Sequence, residues 1–175
     1  MDIERKNGTT LKGNPFTLVG AEVKVGQKAP EFTALAGDLS PVTLAATKGK
    51  TRLLVSVPSL DTPVCDAETR RFNEEAAKLP NVAVAVISVD LPFAQGRFCT
   101  AAGIKNVKCL SDHRDISFGK AYGTLIKELR LLSRAIFVVD ANDIVQYVEY
   151  VPEVANHPNY DAALNALKGQ AAAAH

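Results

Sequence analysis

Cysteine is scarce in this chain: three residues in 175, an odd number and far too few for the disulfide framework of a small secreted domain. Charge of one sign is also missing. Twenty Lys and Arg against nineteen Asp and Glu leave a formal net charge of +1, which gives no electrostatic reason to expect nucleic acid or an anionic membrane surface as a partner. No run of 18 apolar residues occurs, so no membrane span is expected. The first residues, Met1-Asp-Ile-Glu-Arg-Lys-Asn-Gly8, contain no apolar segment of the secretory type. A cytoplasmic protein is therefore expected, with its few thiols reduced and either catalytic or incidental. No metal, haem or flavin motif is present, so no cofactor is expected. Internal repeats and linkers are absent too, and residues 1–175 read as one domain, long enough for a sizeable core.

What is present centres on Pro58-Ser-Leu-Asp-Thr62-Pro63-Val-Cys65. It follows Arg52-Leu-Leu-Val-Ser-Val57, a short apolar and β-branched run that predicts a buried strand from Thr51. It precedes a helical pattern over Pro63 to Lys78, with Val64, Phe72, Ala76 and Leu79 at helical spacing, Ala67 widening the stripe and Pro80 stopping it. Thr62 suits the N-cap and Pro63 the first helical position. Cys65 then falls in the first turn, among N–H groups without intrahelical partners. Such surroundings favour thiolate over thiol and so predict a nucleophilic sulfur. The plainer alternative is a small apolar residue packed under a helix start.

Elsewhere the pattern alternates. A hairpin is expected over Thr9 to Val19 around Gly13-Asn14, then a loop over Val25 to Phe32 and an edge strand at Val42 to Leu44. Val82 to Val89 reads as a strand covered on both faces, Phe93 to Ala102 as a helix stopped by Gly103, Val107 to Leu110 as a strand, and Ile116 to Tyr122 as a helix ending at Gly123. Ala135 to Val139 and Ile144 to Val151 are strands joined by a turn at Asp140 to Asp143. Tyr160 to Leu167 closes the chain as a helix capped near Asn159 or Asp161, with residues 170–175 a frayed tail. The fold class is α/β, a mixed sheet flanked by helices with an extra N-terminal β-hairpin.

Pro58-x-x-x-Thr62-x-x-Cys65 resembles the peroxiredoxin active-site pattern Pro-x-x-x-Thr/Ser-x-x-Cys. The fuller run Ser59 to Cys65, with Thr69, Phe72-Asn73 and Leu91-Pro-Phe-Ala-Gln-Gly-Arg-Phe-Cys99, is similar to the thiol peroxidase branch of that family. The similarity extends from about Thr10 to Lys168. It implies a thioredoxin-like fold and reduction of hydrogen peroxide and small organic hydroperoxides. Cys65 would be the peroxidatic cysteine, and Cys99 the resolving one that forms an intramolecular disulfide with it. The disulfide would be reopened by thioredoxin, in a homodimer. Thr62 would orient peroxide and sulfur, Arg134 would stand beside Cys65, and Pro58 would shield the site from water.

On residues alone, several of these assignments stay open. Cys99 could equally fill the core beside Phe98. Arg52, Arg70 and Arg130 rival Arg134. Cys109 is expected to be structural, and Cys109-x-x-x-His113 offers too few ligands for a metal. His113, His157 and His175 read as surface residues. Three other functions stay open. A thioredoxin-type disulfide oxidoreductase would normally carry Cys-x-x-Cys, whereas Asp66-Ala-Glu68 follows Cys65. A cysteine hydrolase needs a histidine near Cys65 in space. A peroxide-sensing thiol switch would differ only in lacking turnover.

Overall fold

The computed structural model describes residues 2–173. Its N-terminal hairpin pairs β1 (Glu4–Leu11) with β2 (Asn14–Val19). The turn falls at Lys12-Gly13, one residue earlier than expected. Both residues adopt positive φ, the geometry that matches the twist of a two-residue hairpin, and Gly13 is the residue that takes it without strain. β1 also reaches back past Thr9 through an irregularity between Arg5 and Thr9.

Next come β3 (Thr33–Leu35), β4 (Pro41–Thr43), a 3₁₀ turn at Leu44–Thr47, and β5 (Thr51–Ser56). α1 (Pro63–Ala76), β6 (Val82–Ser88), α2 (Pro92–Ala102), β7 (Lys108–Ser111) and α3 (Ser117–Ala121) follow. Then come the two-residue strands β8 (Leu125–Ile126) and β9 (Leu131–Leu132), β10 (Ala135–Val139), β11 (Val145–Tyr150) and α4 (Tyr160–Ala173). β3, β8 and β9 escape the sequence pattern because two or three residues show no period. α4 runs past its expected end at Leu167, and the part of the expected tail from Gln170 to Ala173 is helix. Alanine, the best helix former, fills three of those four positions. Ala174 and His175 lie outside the described residues.

The main sheet has the order β11-β10-β5-β6-β7-β3-β4, with β5, β6 and β7 parallel and the other pairings antiparallel. The hairpin joins β8 and β9 in a separate four-stranded sheet. β4 is an edge strand, as Val42 to Leu44 suggested.

Strand alternation divides the core in two. Leu53, Val55, Val84, Val86, Ile136 and Val138 face one way and meet Phe72 of α1 and Ala163, Leu164 and Leu167 of α4. Leu54, Ile87, Phe137 and Val139 face the other way and meet Phe32, Phe118 and Tyr122, the last two stacked at 4.5 Å. α2 lies against β7, and Phe98, Cys99 and Cys109 edge the first of these cores. Gly103 stops α2 in the left-handed conformation at φ 68°. No helix among the described residues is long and apolar enough to cross a membrane.

Candidate active site

Two parallel strands, β5 and β6, end side by side, and the loops that leave them form the floor of the site, where open α/β sheets commonly place their ligands. The loop after β6 supplies Asp90. Its carboxylate accepts hydrogen bonds from Ser59 Oγ at 2.7 Å, from the Leu60 backbone N–H at 2.8 Å and from Ser88 Oγ at 2.7 Å. This carboxylate fixes the loop from Pro58 to Thr62, with Pro58 buried beneath it.

Thr62 is the N-cap of α1, with φ −124° and ψ 149°. Its hydroxyl donates to the Ser59 carbonyl at 3.1 Å and accepts from the Cys65 N–H at 3.4 Å. Cys65 therefore sits at the third helical position, as the sequence predicts, and is 0% exposed. The core face of α1 keeps Phe72 and Ala76 of the expected stripe, with Leu79 just beyond the helix, but is turned toward polar residues in its first two turns. Cys65, Glu68, Thr69 and Phe72 are its buried residues, and Ala67 is exposed. Thr69 Oγ donates to the Cys65 carbonyl at 2.8 Å.

Arg134 reaches Cys65 because β10 runs antiparallel to β5 with Ala135 opposite Ser56. The residue preceding β10 is thus delivered to the end of β5 from which the Pro58–Cys65 loop departs. Arg134 is 1% exposed. Its guanidinium donates to Cys65 Sγ at 3.2 Å through Nη2, to the Val154 carbonyl at 2.9 Å through Nε, and to the Glu68 carboxylate through Nη1. One side chain is thereby locked by three fixed partners. The rival arginines lie elsewhere. Arg52 is buried against the Lys50 carbonyl and Asp143, Arg70 is exposed against Asp66, and Arg130 is exposed.

Glu68 had no place in the sequence reading. A carboxylate three residues after Cys65 and one before Thr69 was the available signal, because that spacing puts it on the face that bears the nucleophile. Burial is the strongest influence on Glu68 and pushes its pKa up to about 7, against the opposing pull of Arg134. Burial also opposes the charge on Arg134, yet Glu68 and Cys65 together hold that pKa above its ordinary value. The two partners respond differently because Glu68 Oε1 has no hydrogen-bond partner, whereas every nitrogen of Arg134 has one. The carboxylate bears the larger desolvation penalty.

Cys99 lies on α2 and is half-buried. Its sulfur does not neighbour Cys65; it lies 2.8 Å from the sulfur of Cys109 on β7, and all three cysteines are free thiols. Cys109, expected to be structural, is also half-buried, and it lines an open cavity of 280 Å³ with Cys99, Pro92, Gln95 and Gly96. The contact between the two sulfurs, with Cys99 Sγ donating to Cys109 Sγ, holds the Cys99 thiol below its ordinary pKa, and the same contact together with burial pushes Cys109 up. A wider cleft of 460 Å³ between Ser59, Leu60, Asp61 and the Arg97–Phe98 side of α2 separates the Cys65 loop from this pair.

The polar partners of Cys65 among the described residues are Thr62, Thr69 and Arg134, and none is a histidine. Among the described residues, His157 pairs with the Tyr160 hydroxyl at 2.7 Å, and His113 is half-buried in the segment before α3; His175 lies outside them. A fully buried, N-capped cysteine under a fixed guanidinium is suited to attack on a small polar electrophile that accepts hydrogen bonds as charge develops on it.

The pattern of the redoxin family matches residues 24–164. A thiol peroxidase of Halalkalibacterium halodurans is 66% identical over 159 residues, covering 91% of this chain and 96% of the relative. A thiol peroxidase of Bacillus subtilis is 60% identical over 159 residues, covering 91% and 95%. Among solved structures, a peroxiredoxin-like protein from Aquifex aeolicus is 45% identical with a TM-score of 0.88, over 94% of this chain and 97% of that one. A thiol peroxidase from Chromobacterium violaceum, 24% identical, shares the thioredoxin-like fold with a TM-score of 0.84 over 92% and 95%. The chain belongs to the redoxin family and, within it, to the thiol peroxidase branch of the peroxiredoxins.

Proposed function

We propose that this protein is a peroxidase that reduces hydrogen peroxide and organic hydroperoxides with the thiolate of Cys65. The observation that carries the reading is the 3.2 Å contact between Arg134 Nη2 and a fully buried Cys65 sulfur at the N-terminus of α1. The thiolate attacks one peroxide oxygen, the O–O bond breaks, hydroxide or alkoxide leaves and takes a proton, and Cys65 becomes a sulfenic acid. Arg134 and the first-turn N–H groups face the charge that builds on the stretched bond, so they bind the transition state more strongly than the ground state. The Thr62 hydroxyl orients peroxide and sulfur. Pro58 and the loop held by Asp90 keep water out.

Cys99 then condenses with the sulfenic acid, releasing water and leaving an intramolecular Cys65–Cys99 disulfide. A disulfide needs Cα atoms about 4.4–6.8 Å apart. Cys65 is held in a helix turn and Cys99 is in contact with Cys109, so the first turn of α1 or part of α2 must shift for the bond to form. Thioredoxin reopens the bond through a mixed disulfide.

The setting is the cytoplasm, in keeping with three free thiols. The working form is a homodimer, and Leu91 and Phe93, 53% and 64% exposed beside the Asp90 loop, are apolar surface that a second copy would cover. We take residues 1–175 as one domain, since both cores share a single central sheet.

The test is turnover of an organic hydroperoxide coupled to thioredoxin, thioredoxin reductase and NADPH. Steady consumption of NADPH is expected for the native chain, none for Cys65→Ser, and an arrest after the first turnover for Cys99→Ser. A peroxide sensor would instead oxidise once and stop in the native chain. Full turnover of Cys99→Ser would overturn its assignment as the resolving cysteine.

A further inference from the structure

We propose that Cys109 is a third redox cysteine, which takes the disulfide over from Cys65 and stores it as Cys99–Cys109. The inference rests on the peroxidase reading above.

In the reduced chain the sulfur of Cys99 already lies 2.8 Å from that of Cys109 at the edge of the core, while Cys65 is fully buried in that core and held by Arg134. Joining Cys65 to Cys99 displaces α1 or α2 from its packed position; joining Cys99 to Cys109 links two sulfurs already in contact across α2 and β7. The first disulfide is therefore formed against the fold and the second with it.

The exchange is balanced without any outside oxidant. Cys109 loses its thiol proton to water, and its thiolate attacks the Cys99 sulfur of the Cys65–Cys99 disulfide. The Cys99–Cys109 bond forms, the Cys65–Cys99 bond breaks, and Cys65 departs as a thiolate. No electrons enter or leave the chain. A leaving sulfur departs faster the better its surroundings carry negative charge. Cys65 returns to a guanidinium 3.2 Å away and to a capped helix N-terminus, groups that face the charge on the departing sulfur.

Two consequences follow for the reaction. Cys65 is restored before any reductant arrives, so the chain can attack a second hydroperoxide. The dithiol reductant meets its target at the open 280 Å³ cavity lined by Cys99 and Cys109, away from the buried peroxide site.

The experiment is a time course. The fully reduced protein receives one equivalent of cumene hydroperoxide without oxygen, is quenched in acid, alkylated with an acid-compatible maleimide and mapped by peptide mass. An early Cys65–Cys99 disulfide that gives way to Cys99–Cys109, with Cys65 alkylated, is the expected result. A Cys65–Cys99 disulfide that persists with Cys109 alkylated overturns the relay and leaves the peroxidase reading intact. No loss of thiols overturns the peroxidase reading itself.

A second measurement reads the restored Cys65. Without reductant, the native chain should consume a second equivalent of hydroperoxide in its fast phase, whereas Cys109→Ser should stop after the first and retain Cys65–Cys99. Equal consumption by the two proteins would also overturn the relay.

Discussion

Cys65 and the Cys99–Cys109 pair are two solutions to the problem of making a thiol reactive. Around Cys65 the means are electrostatic: burial, a guanidinium fixed by Glu68 and by the Val154 carbonyl, and a capped helix start. Around Cys99 the means are proximity and access: a second sulfur in contact, partial exposure and an open cavity. The first arrangement suits one small substrate in a closed site. The second suits exchange with another sulfur, which must approach in line and so needs room. Burial makes the charges at Cys65 effective, because a hydrogen bond to an ion is strongest where water does not compete. The same burial makes that site costly to disturb.

Removing Arg134 would break the contrast most completely. Arg134→Met keeps an unbranched stem and deletes every donor that the guanidinium offers. The second-order rate constant for hydroperoxide should fall by ~10²–10³, the usual loss for a donor aimed at developing charge. Stability in urea should fall by about 3 kcal/mol, because Glu68 loses its partner in the core. Arg134→Lys should rescue little of the rate, since a single ammonium cannot serve Cys65, Glu68 and Val154 together. A loss of less than tenfold would shift the credit from the guanidinium to the helix N-terminus.

The next effect is read against pH. Glu68 has a pKa of about 7 in the folded chain against an ordinary 4.5. Between those values the folded chain keeps a proton that the unfolded chain has released. Stability therefore declines as pH rises from about 4.5 to about 7 and levels off above it, by ~3 kcal/mol for this one group. Glu68→Gln has nothing to titrate, so its stability should change less over that window. Urea midpoints of both proteins at about pH 5 and about pH 8 measure the difference, and parallel changes would show that Glu68 titrates normally.

The cap is a smaller lever on the same site. Thr62→Val should cost about 1 kcal/mol of stability, because the Cys65 N–H loses its acceptor. It should also slow peroxide reduction, whereas Thr62→Ser should restore both. A valine variant with native rate would reduce Thr62 to a helix cap, and thermal unfolding beside a peroxide assay separates the two roles.

The parts of this site that could be read from the sequence are those encoded locally. Thr62, Pro63 and Cys65 lie within one helix start, and β5, β6 and β10 are short apolar runs that admit few alternatives. Glu68 escapes a stripe drawn through Val64, Phe72, Ala76 and Leu79, because the buried face carries Cys65, Glu68 and Thr69 beside Phe72. A polar residue on a core face is invisible to a hydrophobic stripe. Arg134 could be separated from Arg52 only through the register that sets Ala135 against Ser56, a contact between distant segments. The pairing of Cys99 with Cys109 depends on how α2 lies across β7, and ten residues of spacing do not reveal it.

The smallest effect is expected at the other ion pair on the same helix. Asp66 and Arg70 stand one turn apart on α1 with side chains 40% and 49% exposed. They are neighbours in sequence to Cys65 and Glu68, but they face water, where attraction is weak and two long side chains lose freedom to meet. Arg70→Ala should change stability by no more than ~0.5 kcal/mol, an effect that added salt would shrink. Its peroxide rate should stay native, since neither group touches Cys65. Arg134→Met and Arg70→Ala each delete one arginine from a carboxylate on α1, so the ratio of their effects measures what burial contributes. If Arg70→Ala slowed the reaction as Arg134→Met does, long-range field rather than the fixed contact at 3.2 Å would be what activates Cys65.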